Sequence, residues 1–395
     1  MIIEPKIRGF ICTTSHPVGC EENVRRQIAY VKEQGKTEGP KKVLVIGASA
    51  GYGLSSRIEA AFGCGAATIG VIFDKPASGK RTGTAGWYNT AAFEKCAAEN
   101  GLYAKTINGD AFSKEVKEET IALIRKDLGQ VDMVVYSLAA PRRAMEDGTV
   151  YSSVLKTTGE AYTNKTIDLK TRTISDVTIE PATEEEIHNT VKVMGGEDWE
   201  DWIRALRSAG VLAQGAITLA YSYIGPQLTH PMYYDGSIGA AKQHLYETAR
   251  RLTASDLDVR AYVSVNKALV TQSSAAIPIV PLYISILYKI MKKAGTHEGC
   301  IQQMERLFRE KLFGSPGPVV DENQLIRMDD WEMREEIQRE VAQDWESVDT
   351  ATVQSLCDID GYWEDFYQIF GFAVPGVDYD ADVEIQVDIP SISAQ

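Results

Sequence analysis

Residues 41–53 read KKVLVIGASAGYG, and residues 54–63, LSSRIEAAFG, follow at once with helical spacing. A short, continuous apolar run ending in glycine predicts a buried parallel strand, and the helix behind it predicts a strand–turn–helix unit. Gly47, Gly51 and Gly53, with Ala48, Ser49, Ala50 and Tyr52 between them, make a tight turn with little side-chain bulk. Such a turn lets helix-terminal N–H groups and the helix dipole face a pyrophosphate, so the stretch predicts a dinucleotide site. The bland alternative is an ordinary strand-to-helix turn that favours glycine.

Outward from this unit the rhythm repeats. Strand signals at AATIGVIFD (66–74), YAKTING (103–109) and QVDMVVYSLA (130–139) alternate with helix signals at 84–101 and 113–129. That alternation predicts an α/β fold, a Rossmann-like doubly wound parallel sheet with helices on both faces. The polar, Thr-rich stretch 146–196 reads as a hairpin and a capped helix inserted over one edge of the sheet. The pattern resumes with GAITLAYSYIG (215–225), a helix over about 238–253, VRAYVSV (259–265) and a long helix after Pro281. Residues 1–330 are therefore expected to form one cofactor-binding and catalytic unit, with its glycine-rich part at about 41–140 and its catalytic part at about 215–315. Residues 331–395 are expected to be a small acidic C-terminal extension packed on it. The opening MIIEPKIRGFICTTSHPVGC reads as a strand or hairpin.

The ends of the predicted strands name further cofactor contacts. Phe73 and Asp74 close the second strand, where an acid accepts hydrogen bonds from ribose hydroxyls and repels a 2′-phosphate. Lys75, Lys80 and Arg81 oppose that preference, and a solvated turn acid is the plain alternative. Asp110 and Ala111 follow the third strand, near the expected adenine, and Leu138 and Ala139 follow the fourth, near the nicotinamide ribose.

Composition excludes several classes. A net charge of −14 leaves no basic face for nucleic acid or an anionic membrane. The apolar stretch 275–291 is broken by Pro278 and Pro281, so no stable membrane insertion is expected. Six cysteines without a CxxC pair and five histidines without ligand spacing predict neither disulfides nor a metal site. A cytoplasmic chain, or one of an organellar matrix, fits a reducing interior; a monomer or weak dimer is expected.

Hydride chemistry also needs a proton source. In YYDGSIGAAK (233–242), Tyr233 and Lys242 are nine residues apart. On one helix that offset is a rotation of about 900°, which points the two side chains to opposite faces. Gly236 and Gly239 allow another arrangement, with Tyr233 on a loop and Lys242 on the helix behind it. A lysine there holds ribose hydroxyls and lowers the pKa of a neighbouring phenol.

GASAGYGLSSRI, GTAGWYNTAAFEK, VKVMGGEDWE, AYSYIG, the Tyr-x8-Lys pair, NKALVTQSSAAIP and PGVDYDADV together resemble the trans-2-enoyl-CoA reductases, which include bacterial enoyl-acyl-carrier-protein reductases of the same build. The resemblance spans essentially the whole chain. It implies NADH-dependent saturation of an enoyl thioester carried by CoA or acyl carrier protein. It further implies Tyr233 as proton donor, Lys242 as the ribose-binding lysine, Tyr223 at the thioester, and Leu269, Val270 and Thr271 at the nicotinamide. The acyl chain is expected along the helix 281–293. No flavin is expected, because the terminal segment has no glycine-rich phosphate loop of its own. A carbonyl reductase of short-chain-dehydrogenase type and a non-enzymatic NAD-binding protein are the competing readings.

Overall fold

The computed structural model describes residues 1–8, 11–272 and 274–393. Seven strands form one sheet: β1 Lys42–Ile46, β2 Ala67–Ile72, β3 Ala104–Asn108, β4 Val131–Tyr136, β5 Leu212–Ser222, β6 Val259–Val265 and β7 Leu325–Arg327. Their spatial order is β3-β2-β1-β4-β5-β6-β7, and every neighbouring pair is parallel. Val43, Val45, Met133 and Val135 face one core with the helix Val280–Ala294, while Leu44, Ile46 and Val134 face another that contains Trp199 and Trp202. Because both faces are covered, the strands are written as apolar runs rather than as an alternation.

The helix Gly51–Ile58 continues through a π-helical turn, Glu59–Gly63. Its Arg57 is fully buried, donating to Thr68 Oγ1 at 3.3 Å, Thr106 Oγ1 at 3.0 Å and the Lys105 carbonyl at 2.7 Å, and its guanidinium lies 4.4 Å from the Phe93 ring centre. A buried cation needs such partners. Here they fix the helix behind the glycine turn to β2 and β3.

Two regions differ from the sequence reading. The expected N-terminal hairpin is reduced to the antiparallel pairs Ile7–Arg8 and Ile11–Cys12, with Gly9 and Phe10 outside the described residues. An 18-residue helix, Pro17–Gln34, follows it; His16 Nδ1 caps it by accepting the Gly19 N–H at 3.1 Å. Val24, Ile28 and Val31 form its buried stripe. The insertion holds a short hairpin at 142–152, the hairpin Tyr162–Ile179 and the helix Glu184–Met194, which starts at a Thr183/Glu186 capping box. Its helix packs on the helix Ser237–Ala254 and its second hairpin on Val280–Ala294, so its principal contacts are with helices rather than with an edge strand. The C-terminal segment returns to the sheet region: the Trp87 Nε1–H donates to the Val387 carbonyl at 2.7 Å and the Tyr88 hydroxyl to the Ile385 carbonyl at 2.9 Å.

Candidate active site

Chain order reverses between β1 and β4, and in open α/β sheets ligands bind in the crevice at the carboxyl ends of such a pair. A cavity of about 1260 Å³ lies there. Of the residues expected to bind cofactor or substrate or to donate the proton, all except Ala48, Gly53 and Asp74 line it. The turn after β1 presses on the one after β4: a Cβ on Gly47, whose φ is +83°, would sit 2.0 Å from the Ser137 carbonyl oxygen. A Cβ on Gly53 would sit 1.9 Å from the Gly47 oxygen. No larger residue fits either place without moving backbone. Ala50 starts the helix Gly51–Ile58 without a side-chain cap, which leaves first-turn N–H groups free for an anion. These features fit the pyrophosphate of a dinucleotide. Ala48 is instead buried in the core, 1% exposed.

Asp74 stands beside the cavity. Its Oδ1 accepts the Thr84 hydroxyl at 2.7 Å, and its backbone is held at both ends by the Asn108 amide, each bond 2.9 Å. Gly86 gives the carboxylate room, since a Cβ there would meet Oδ1 and Oδ2 at 2.4 Å. Thr84 thus fixes one oxygen, and the other carries no hydrogen bond among the described residues.

Across the cavity, Tyr233 lies in the turn before the helix Ser237–Ala254 and Lys242 in the second turn of that helix. Gly239 is required by this packing: a Cβ there would lie 1.8 Å from the Tyr234 carbonyl oxygen. Both side chains border the same cavity, as the loop-then-helix arrangement predicts. Lys242 Nζ donates to the Tyr221 carbonyl at 3.0 Å, and burial lowers its pKa to about 8. The Tyr233 phenol, however, is not made more acidic. Burial pushes it above its ordinary value, and no cation close enough to offset that stands beside it. Tyr233 therefore keeps its proton near neutrality. Its hydroxyl bonds to no described residue, whereas Tyr223, with ring centres 5.0 Å apart and planes at 79°, donates to Glu332 Oε1 at 3.2 Å.

Other lining residues escaped the sequence reading. Asn23 and Arg26 come from the unexpected helix Pro17–Gln34, Asp365 from the C-terminal helix Ile359–Ile369, and Lys267 from the segment after β6. Lys267 is 3% exposed; its Nζ donates to the Ala268 carbonyl at 2.9 Å and lies 4.9 Å from the Tyr288 ring centre. Its place directly past a strand end was the available signal. Trp199 and Trp202 are buried in the core, donating to Thr218 Oγ1 at 2.7 Å and the Ala111 carbonyl at 3.1 Å. Among the described residues no group of metal-binding side chains occurs, and no helix is long and apolar enough to cross a membrane.

Residues 2–79 match the NAD(P)H binding domain of trans-2-enoyl-CoA reductase, and residues 81–313 match the trans-2-enoyl-CoA reductase catalytic region. The chain belongs to the trans-2-enoyl-CoA reductase family. It is 58% identical to an enoyl-[acyl-carrier-protein] reductase [NADH] of Coxiella burnetii, over 100% of this chain and 98% of that one. It is 56% identical to a trans-2-enoyl-CoA reductase [NADH] of Ruminiclostridium cellulolyticum, over 99% of this chain and 100% of that one. The crystal structure of the Treponema denticola trans-2-enoyl-CoA reductase in complex with NAD superposes with a TM-score of 0.94 at 49% identity, covering 97% of this chain and 98% of that one.

In this family member, residues 320–383 also match an enoyl reductase FAD binding domain. The residues present do not fit that cofactor. The two longer helices of the segment begin with Glu335 and Glu336 and with Asp358 and Asp360, where a pyrophosphate would be repelled.

Proposed function

We propose that this chain uses NADH to reduce the carbon–carbon double bond of trans-2-enoyl thioesters, delivering saturated acyl thioesters to fatty acid synthesis. The observation that carries the reading is the convergence, on one cavity, of a pyrophosphate-fitting glycine turn, a buried lysine and an unpartnered phenol. NADH supplies a hydride, which adds at the β-carbon and leaves negative charge on the thioester oxygen. The Tyr233 hydroxyl donates a hydrogen bond to that oxygen as charge develops, and a proton from solvent then adds to the α-carbon as the enolate collapses to the thioester. Lys242 holds the ribose hydroxyls by its ammonium. Tyr223 borders the thioester, and Leu269, Val270 and Thr271 border the nicotinamide. Val280 and Ile284 give the acyl chain an apolar wall. The cytoplasm, where NADH is regenerated, is the compartment this chemistry suits.

NADH absorbance followed with crotonyl-CoA, a longer enoyl-CoA and simple ketones tests the reading. Consumption with the enoyl thioesters is expected. Turnover of ketones alone marks a carbonyl reductase, and binding without oxidation marks a sensor. An enoyl-acyl-carrier-protein run beside the CoA thioester identifies the carrier.

Cofactor choice rests on the free oxygen of Asp74. A 2′-phosphate about 4 Å from a carboxylate is disfavoured by several kcal/mol at an effective dielectric of about 20, before salt screening. A preference for NADH of at least about 10-fold needs only about 1.4 kcal/mol, so it is expected despite the nearby Lys75, Lys80 and Arg81. Asp74→Ser should narrow the gap, chiefly by improving NADPH use. Measuring kcat/KM with both cofactors in both proteins decides it; an unchanged ratio removes Asp74 from the ribose site.

A further inference from the structure

Glu332 lies just beyond β7, among residues whose acidic character in sequence suggests nothing but a solvated face. Its side chain is 0% exposed. Oε1 accepts two phenolic protons, from Tyr283 at 2.6 Å and from Tyr223 at 3.2 Å. Oε2 accepts the Ala268 N–H at 2.7 Å. One carboxylate therefore joins three parts of the site: the cavity tyrosine at the end of β5, the helix Val280–Ala294 and the segment leading into Leu269, Val270 and Thr271.

Proton counting gives this arrangement a meaning. A phenol owns one proton, and Tyr223 has given its own to Glu332, so towards the cavity it offers lone pairs only. Tyr283 is committed in the same way; its oxygen in turn receives the Gln338 Nε2–H at 3.2 Å. Tyr233, whose ring is 5.0 Å from that of Tyr223, has no such commitment.

Building on the reductase reading, we infer that Glu332 is a positioning residue that determines which of two neighbouring tyrosines donates to the thioester oxygen, by holding the Tyr223 proton away from it. It touches neither substrate nor cofactor and acts through Tyr223 and the Ala268 backbone.

Glu332→Gln keeps the shape and reverses the polarity. The amide oxygen stays with the Ala268 N–H, because an amide nitrogen there would face another donor; the amide N–H groups then point at the tyrosine oxygens. Tyr223 no longer has an acceptor behind it, and its proton turns into the cavity as a second donor.

The test is a double-mutant cycle of Glu332→Gln and Tyr233→Phe with NADH and crotonyl-CoA, accompanied by fluorescence titration of NADH and thermal melting. Turnover by the unaltered protein tests the reductase reading itself; the cycle tests Glu332 alone. The loss of kcat caused by Tyr233→Phe is expected to be at least about tenfold smaller in the Glu332→Gln background, and adding Tyr223→Phe should restore the full loss. A purely structural Glu332 gives the same loss in both backgrounds, and that result overturns the inference. Should Glu332→Gln not fold, Tyr223→Phe alone decides: its effect is expected mainly in KM, with kcat falling far less than in Tyr233→Phe. Equal kcat losses in the two single variants overturn the inference.

Discussion

Tyr233→Phe is expected to lower kcat by about 10²-fold or more, some 2.7 kcal/mol of transition-state stabilisation, while NADH binds nearly as before. The change removes one oxygen that bonds to no described residue, so neither the turn carrying it nor the ring contact with Tyr223 loses a partner. Melting temperature should accordingly stay close to that of the unaltered protein. The hydroxyl is needed only when negative charge gathers on the thioester oxygen, which places its effect in kcat rather than in KM. Steady-state kinetics with a full-length enoyl thioester and a fluorescence titration of NADH separate the two. Near-normal kcat in this variant means that another group donates, and the assignment of Tyr233 fails.

Lys242→Met should reduce kcat/KM further, by about 10³-fold, because it weakens cofactor binding and misplaces the nicotinamide ribose together. Methionine retains an apolar stem of similar length, so packing in the helix Ser237–Ala254 is largely kept. The charge has its own signature in pH. Burial lowers the Lys242 pKa to about 8, so the free protein carries the ammonium below that pH and the neutral amine above it. The anionic cofactor prefers the ammonium. NADH affinity is thus expected to be greatest below about pH 8 and to weaken as pH rises through it. Lys267, whose pKa burial also lowers to about 8, borders the same cavity. A flat NADH profile in Lys242→Met assigns the dependence to Lys242; a profile that persists assigns it to another group such as Lys267.

The sheet was legible because its strands are buried on both faces, and a segment such as Val43–Ile46 then has no polar position to obscure it. The Tyr233 and Lys242 arrangement was legible from rotation along a helix combined with two glycines. The helix Pro17–Gln34 was not seen, because its buried stripe of Val24, Ile28 and Val31 is diluted by Glu21, Glu22, Arg25, Arg26 and Lys32. Glu332 and Asp365 were hidden for a different reason. In an acidic stretch nothing local separates a carboxylate that will be buried against tyrosines from one that stays in water; only the tertiary partners do that. The same holds for the acidity of Tyr233. The sequence places a lysine nine residues on, yet the fold directs its Nζ to the Tyr221 carbonyl, and burial moves the phenol the other way.

The most direct test of the account is the fate of the transferred hydrogen. Crotonyl-CoA is reduced by the protein in ordinary water, with NADH carrying deuterium at the transferable position of C4, and the acyl product is read by NMR. The account predicts one deuterium at the β-carbon and a solvent proton at the α-carbon, with NADH consumed in equal amount. Deuterium at the α-carbon, an unlabelled product, or no reduction of any enoyl thioester contradicts it.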